Sequence, residues 1–179
     1  STSNRSHDVG IEIERKFLLA SDDWRKDVEA TIVMGQGYLN DAASVQQGVQ
    51  NVSMRVRLEG GDARINIKSR EPGASRQEFD YRIPVADGEA LLKLCVGGRI
   101  EKHRHYVRQG GHLWEIDEFL GDNAGLVVAE IELDSVDEAF ARPAWLGREV
   151  TELLRYYNLN LASYPYAQWS AKERAASDA

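Results

Sequence analysis

The sequence predicts an α+β, mainly β fold: a closed eight-stranded antiparallel β-barrel with a charged interior and a few helices packed on its outside. Two observations point to strands and hairpins. Apolar and polar residues alternate with period 2 over 11–18, 35–40, 52–59, 63–69, 76–85, 100–108, 112–119 and 126–134. Turn-forming stretches, "EGGD" (59–62), "REPGAS" (70–75), "RQGGH" (108–112) and "LGDNAG" (120–125), separate several of these segments. A third observation concerns charge: whole strand faces carry one sign, which predicts a barrel turned inside out, with charge within and apolar residues outside.

The elements follow in chain order. In "IEIERKFLLA", Glu12, Glu14 and Lys16 share one face, and Ile11, Ile13 and Phe17 take the other. "SDDWRKDVEATI" predicts a helix over 21–32, with Ser21 as N-cap and Trp24, Val28 and Ile32 at helical spacing. Arg55 and Arg57 oppose Met54, Val56 and Leu58; Arg64, Asn66 and Lys68 oppose Ala63, Ile65 and Ile67. The 76–82 face is mixed, with Arg76, Glu78, Asp80 and Arg82. "DGEALLKLCV" reads as a short amphipathic helix that buries the thiol of Cys95. Lys102, Arg104 and Tyr106 then line one face, so His103 and His105 point the other way. Glu115 and Asp117 oppose Trp114 and Ile116; Glu130, Glu132 and Asp134 oppose Ile131 and Leu133. "SVDEAFA" (135–141) predicts a helix capped by Ser135, and 150–169 a last helical region kinked by Pro165. The four tryptophans read as packing residues.

With 179 residues the chain suits one well-buried domain. We expect a flexible N-terminal segment over 1–9, a single domain with its C-terminal helix over 10–165, and a tail over 166–179. Hydrophobic residues at 42% and charged residues at 28% are ordinary for a globular protein. The net charge of −7 argues against broad nucleic-acid binding. No apolar run reaches membrane-spanning length, and "STSNRSHDVG" lacks the apolar core of a signal peptide. The lone cysteine fits a reducing cytoplasm. Exposed apolar residues in the C-terminal region leave a homodimer open.

An open sheet with one wet polar face is the simpler explanation for any single strand. Taken together the strands fit it poorly. Solvated faces usually mix signs, whereas same-sign residues at i and i+2, about 6.6 Å apart, need an opposite charge between them. Clustered carboxylates suit a hard divalent cation; clustered Arg and Lys suit a polyanion such as a phosphate chain. A metal–polyphosphate complex satisfies both sets at once.

The Glu-x-Glu-x-Lys run at 12–16 resembles the signature of the CYTH superfamily, the triphosphate tunnel metalloenzymes. The likeness strengthens because "MRVRL" (54–58), "NIKS" (66–69), "RQEFDY" (76–81), "EKHRHY" (101–106), "WEID" (114–117) and "AEIEL" (129–133) follow in that family's order. Within it, "QGYL" (36–39), "SRQE" (75–78) and "EVTE" (149–152) resemble the short bacterial inorganic tripolyphosphatases. The resemblance implies an eight-stranded tunnel barrel that hydrolyses a linear triphosphate with one or two Mg²⁺ or Mn²⁺ ions. It implies metal ligation by Glu12, Glu14, Glu115, Asp117, Glu130 and Glu132. Lys16, Arg55, Arg57, Lys68, Lys102 and Arg104 would bind phosphate, and Lys68 with Tyr38 would activate water. Crowding by other cations is expected to lower the pKa of Lys68 and suit it to that task. One departure stands out: "TELLRYYNLNLA" (151–162) holds Arg155 as its sole cation, where such relatives carry several lysines at the tunnel mouth. An organic triphosphate such as a nucleoside or thiamine triphosphate is therefore an alternative substrate. An adenylate cyclase and a non-catalytic polyphosphate-binding module are further alternatives.

Overall fold

The computed structural model describes residues 10–71 and 74–179, so the segment expected to be flexible over 1–9 lies outside the described residues. Its elements are β1 (Gly10–Leu19), β2 (Val28–Tyr38), α1 (Ala42–Gln46), β3 (Val52–Glu59), β4 (Asp62–Ser69), β5 (Ser75–Ile83), α2 (Val85–Leu92), β6 (Val96–Gln109), β7 (His112–Phe119), β8 (Val127–Glu132), β9 (Leu146–Glu149), α3 (Asn158–Ser163) and α4 (Ala171–Arg174). Antiparallel pairing runs β5-β4-β3-β2-β6-β7-β8-β1, and β1 returns to β5 from Gly10–Glu78 to Ile13–Ser75, which closes an eight-stranded barrel. The short β9 adds to the far end of β1 at Phe17 and Leu19. No helix among the described residues is long and apolar enough to cross a membrane.

Closure follows from the alternation. Each strand has an apolar face that must leave water and a charged face that must stay solvated or paired. On the outside of β1, β6, β7 and β8, Phe17, Val107, Trp114, Ile116, Ala129 and Ile131 cluster with Trp24, Leu133 and Trp145 from the connecting segments. Trp114 is the hub, meeting Phe17, Phe140 and Trp145 edge-on at centroid separations of 5.8, 5.8 and 5.5 Å. On the opposite side α2 covers Ala63, and it approaches so closely that a Cβ on Gly88 would lie 2.7 Å from that of Ala63. A mid-helix glycine, normally a loss of about 1 kcal/mol, is required there.

The helical expectations need correction. Residues 21–32 form only a 3₁₀ turn, Asp23–Asp27, before β2 begins. Positions 24, 28 and 32 are also all even, so their spacing fits period 2 as well. The β-branched residues Val28, Thr31, Ile32 and Val33 decide for strand. Residues 135–141 contain no helix; Phe140 within this stretch packs on the tryptophan cluster, so an irregular chain covers that flank. The last region breaks into 3₁₀ turns at Leu154–Tyr156 and Tyr166–Gln168 around α3. The helix α1 went unread; Asp41 caps it by accepting from the Ser44 N–H at 2.6 Å. Cys95 is half-buried against Gly37, and burial pushes its thiol up rather than activating it.

Residues 166–179 are not a loose tail. Trp169 and Ala176 are buried with Tyr156, Leu161 and Val150 in a second cluster, which includes the inward-facing Ile100, Phe119 and Val128 at one end of the barrel. Ser170 and Glu173 form a reciprocal capping box on α4, and Arg155 pairs with Asp178. Trp169→Ala should therefore cost about 3–5 kcal/mol in chemical denaturation. A loss within about 0.5 kcal/mol, as for a surface tail, would contradict this packing.

Candidate active site

Strand parity carries the predicted charges inward. Glu12, Glu14, Lys16, Arg55, Arg57, Lys68, Arg104, Glu115, Glu130 and Glu132 line one cavity of about 310 Å³, together with Asn66, Glu78 and Asp80. Cross-strand register makes the crowding explicit: Glu14 stands directly opposite Glu132, Glu115 opposite Glu130, and Arg57 opposite Arg64. Like charges facing each other across a ladder are destabilising. A sheet face used only for solvation gains nothing from that arrangement, so the simpler reading fails here.

Partial compensation comes from within. Lys16 Nζ bonds Glu130 and lies 3.4 Å from Glu14; Lys68 Nζ lies 2.8 Å from Glu12 and 3.8 Å from Glu78. Arg104 Nη1 meets Glu115 at 2.8 Å. Arg55 and Arg57 have Nε atoms buried without a hydrogen-bond acceptor among the described residues. Burial, reinforced by Arg55 and Arg104, depresses the pKa of Arg57. Arg57 meets Glu59 at 3.3 Å and Arg104 meets Glu115, so this positive wall is compensated from its edges while the Nε atoms of Arg55 and Arg57 stay without an acceptor among the described residues. Burial pushes Glu115 up, with Glu130, Asp117 and Glu14 adding to it against Arg104; partial desolvation with Glu12, Glu115 and Glu14, against Lys68, does the same to the more exposed Glu132. Seven carboxylates and five Lys or Arg side chains line the cavity, which leaves negative charge in excess.

An all-oxygen set with surplus charge fits a hard divalent cation. As the side chains stand, no three carboxylates among the described residues converge on one point. Lys16 holds Glu130 and Lys68 holds Glu12, so ligation would require those ammonium groups to yield.

Several expected roles look different in place. Asp117 and Lys102 point inward yet do not line the cavity: they pair with each other at 2.7 Å, and both are essentially inaccessible. Burial and Arg104 pull Lys102 down to about 8 despite Asp117, and Arg104 with Lys102 keeps Asp117 ionised despite its burial. The expected lowering of Lys68 is not found. Burial acts in that direction, but Glu14 and Glu12 outweigh it and raise the pKa. The reason is geometric: the nearest charges to its ammonium are carboxylates, not cations. Tyr38 lines an adjoining cavity of about 460 Å³, and burial raises its phenol while Arg55 and Lys68 draw it back. His103 and His105 do face outward, where His105 sits between Thr31 and Glu118 at 2.8 and 3.1 Å.

The adjoining cavity shares Glu14, Arg55, Asn66, Lys68 and Asn158 with the charged one. Residues of α1 and α3 line it, and the two helices are joined by a hydrogen bond from Gln46 to Asn160. Asn158 and Tyr157 were not foreseen as site residues. Asn158 is buried with its Oδ1 lacking a donor among the described residues, and the Tyr157 ring lies 4.7 Å from Lys16 Nζ and 5.0 Å from the Arg76 guanidinium. No strand alternation marks them, since tertiary packing brings them in from beyond the barrel.

A carboxyl whose folded pKa lies above its ordinary 4.5 destabilises the fold while ionised, and the penalty fades as pH falls to that ordinary value. Glu132→Gln should therefore raise the melting midpoint at pH 7 in chelator, with the gain shrinking toward pH 4.5. A lowered midpoint at pH 7 would mean that Glu132 is a stabilising partner instead.

Comparison with known proteins agrees with this geometry. The chain is 40% identical over 159 residues to an inorganic triphosphatase of Acetivibrio thermocellus, covering 88% of this chain and 97% of that protein. It is 39% identical over 155 residues to an inorganic triphosphatase of Nitrosomonas europaea, covering 84% and 96% respectively. A crystal structure of an inorganic triphosphatase superposes with a TM-score of 0.60 at 35% identity, covering 88% of this chain and 97% of that one. The CYTH domain matches residues 10–164, and the chain belongs to the CYTH domain family.

Proposed function

We propose that this protein is a divalent-metal-dependent triphosphatase that hydrolyses inorganic tripolyphosphate to diphosphate and phosphate inside the barrel. The observation that carries the reading is one cavity lined by acids on β1, β7 and β8, with Glu14 opposite Glu132 and Glu115 opposite Glu130, and by arginines on β3, in a chain 40% identical to an inorganic triphosphatase. A phosphate chain bound with a divalent cation meets both walls; no single ion meets both.

Arg55, Arg57 and Arg104 cradle the phosphate oxygens, since their forked donors match phosphate geometry. Lys16 supports the phosphate side, and we do not include Lys102 there because the cavity does not reach it. Glu12, Glu14, Glu115, Glu130 and Glu132 would hold one or two Mg²⁺ or Mn²⁺ ions once Lys16 and Lys68 yield, and the bound ions would supply charge neutralisation for the phosphoryl oxygens. Lys68, held as an ammonium by Glu12 and Glu14, meets the terminal phosphoryl group as a cation. It serves as a base toward water, with Tyr38 orienting that water, only when those carboxylates are drawn away. We place the protein in the cytoplasm.

A second reading has its own support. The cavity of about 460 Å³ beside the charged one presents Val45, Leu154, Tyr157 and Leu159, and it is large enough for an organic group. A nucleoside or thiamine triphosphate could extend its organic end there, whereas nothing in the cavity specifies a cyclase's attacking hydroxyl.

Phosphate release from tripolyphosphate, ATP and thiamine triphosphate, with Mg²⁺, Mn²⁺ or chelator, decides between these readings. We expect tripolyphosphate with metal to be turned over fastest and chelator to abolish release. No metal-dependent release from any of the three would sink the triphosphatase reading, and cyclic AMP formed from ATP would then separate the cyclase from the binding module. Lys68→Ala should lower kcat about 100-fold or more with KM little changed. A near-normal kcat would remove Lys68 from the chemistry.

A further inference from the structure

Lys102, Asp117 and Arg104 form an ion cluster inside the barrel that reaches the cavity only through Arg104. Arg104 stands directly opposite Asp117 in the β6–β7 register, and Lys102 stands opposite Phe119. Both Asp117 oxygens are engaged. Oδ1 accepts from Arg104 Nε at 2.8 Å, and Oδ2 accepts from Arg104 Nη2 at 2.9 Å and from Lys102 Nζ at 2.7 Å. Val128, Phe119, Met34 and Ile100 are buried around this end of the barrel. With 1% of its side chain exposed, Asp117 presents no oxygen to the cavity.

The cluster has a directional consequence. Asp117 grips the Nε–Nη2 edge of the guanidinium, which fixes its plane. The remaining Nη1 then points to the cavity wall, 2.8 Å from Glu115, and Nη2 lies 3.9 Å from Glu130. Lys102 supplies the charge that offsets Asp117. The carboxylate can therefore hold Arg104 in place without cancelling the positive charge that Arg104 presents to the cavity. A lone Asp–Arg pair would be neutral.

We propose that Asp117, with Lys102 as its counter-charge, is a positioning residue that aims Arg104 at the phosphate chain; Asp117 is then not a metal ligand, and Lys102 is not a phosphate-binding cation. This rests on the triphosphatase reading above. Its basis is the consumption of both Asp117 oxygens and the separation of Asp117 and Lys102 from the cavity.

The test is a double-mutant cycle of Asp117→Asn and Arg104→Met, followed in tripolyphosphate hydrolysis at varied Mn²⁺ and in calorimetric binding of tripolyphosphate. Asp117→Asn should lower kcat/KM roughly 10- to 100-fold, the cost of misplacing a catalytic contact. The Mn²⁺ concentration for half-maximal rate should stay within about twofold, against the 10- to 100-fold typical of a disturbed metal site. In the Arg104→Met background, Asp117→Asn should have little further effect, because it acts through that side chain. Additive losses, or a Mn²⁺ requirement raised about tenfold or more, would overturn the proposal. Should Asp117→Asn fail to fold, Lys102→Met/Asp117→Asn removes both buried charges together and takes its place in the cycle. Glu130→Gln separates the two readings: an unchanged Mn²⁺ requirement there counts against the metal assignment and not against Asp117. If the parent protein hydrolyses nothing, the triphosphatase reading fails, and the cycle measured by binding still decides whether Asp117 acts through Arg104.

Discussion

Everything in this fold depends on keeping a ring of charges inside a closed barrel. Buried charges are tolerated only when paired and hydrogen-bonded, and here the pairing runs along the wall as Lys16 with Glu130, Lys68 with Glu12, and Arg104 with Glu115 and Asp117. Compensation is incomplete where like charges meet across the ladder, at Glu14–Glu132 and Glu115–Glu130. That uneven balance is the physical basis for expecting a ligand carrying both signs, a metal-bound phosphate chain.

The same constraint explains the outside. Because the inner faces hold charge, the apolar faces must be covered from without. Helices do less of this than expected. One flank is closed by edge-on aromatics around Trp114, drawn from an irregular segment that carries Phe140 and Trp145. The opposite flank is closed by α2, at a distance that only Gly88 permits. The C-terminal residues complete the closure by burying Trp169 and Ala176 over one barrel end.

The interior divides into unlike regions. A charged chamber is followed on one side by an apolar floor of Ile100, Phe119 and Val128, into which the Lys102–Asp117 pair is sunk. On another side lies a roomier cavity walled by α1 and α3. Tyr38 and Lys68 stand where the cavities adjoin, and Lys68 lines both. This division separates residues that strand alternation alone treats as equivalent.

Alternation by itself determined which side chains face inward, because period 2 is a property of the extended backbone and holds whatever the sheet's partners are. Glu12, Glu14, Arg55, Arg57, Lys68, Glu115 and Glu130 were legible for that reason, and so was the barrel. Depth and partnership were not, since they depend on which strands become neighbours and in what register. Register sank Asp117 and Lys102 below the cavity and set Lys68 beside Glu12, reversing the expected sign of its pKa shift. Packing beyond the sheet brought Tyr157 and Asn158 to the tunnel and turned the C-terminal residues into core. Their spacing carried no period that distant neighbours could impose locally.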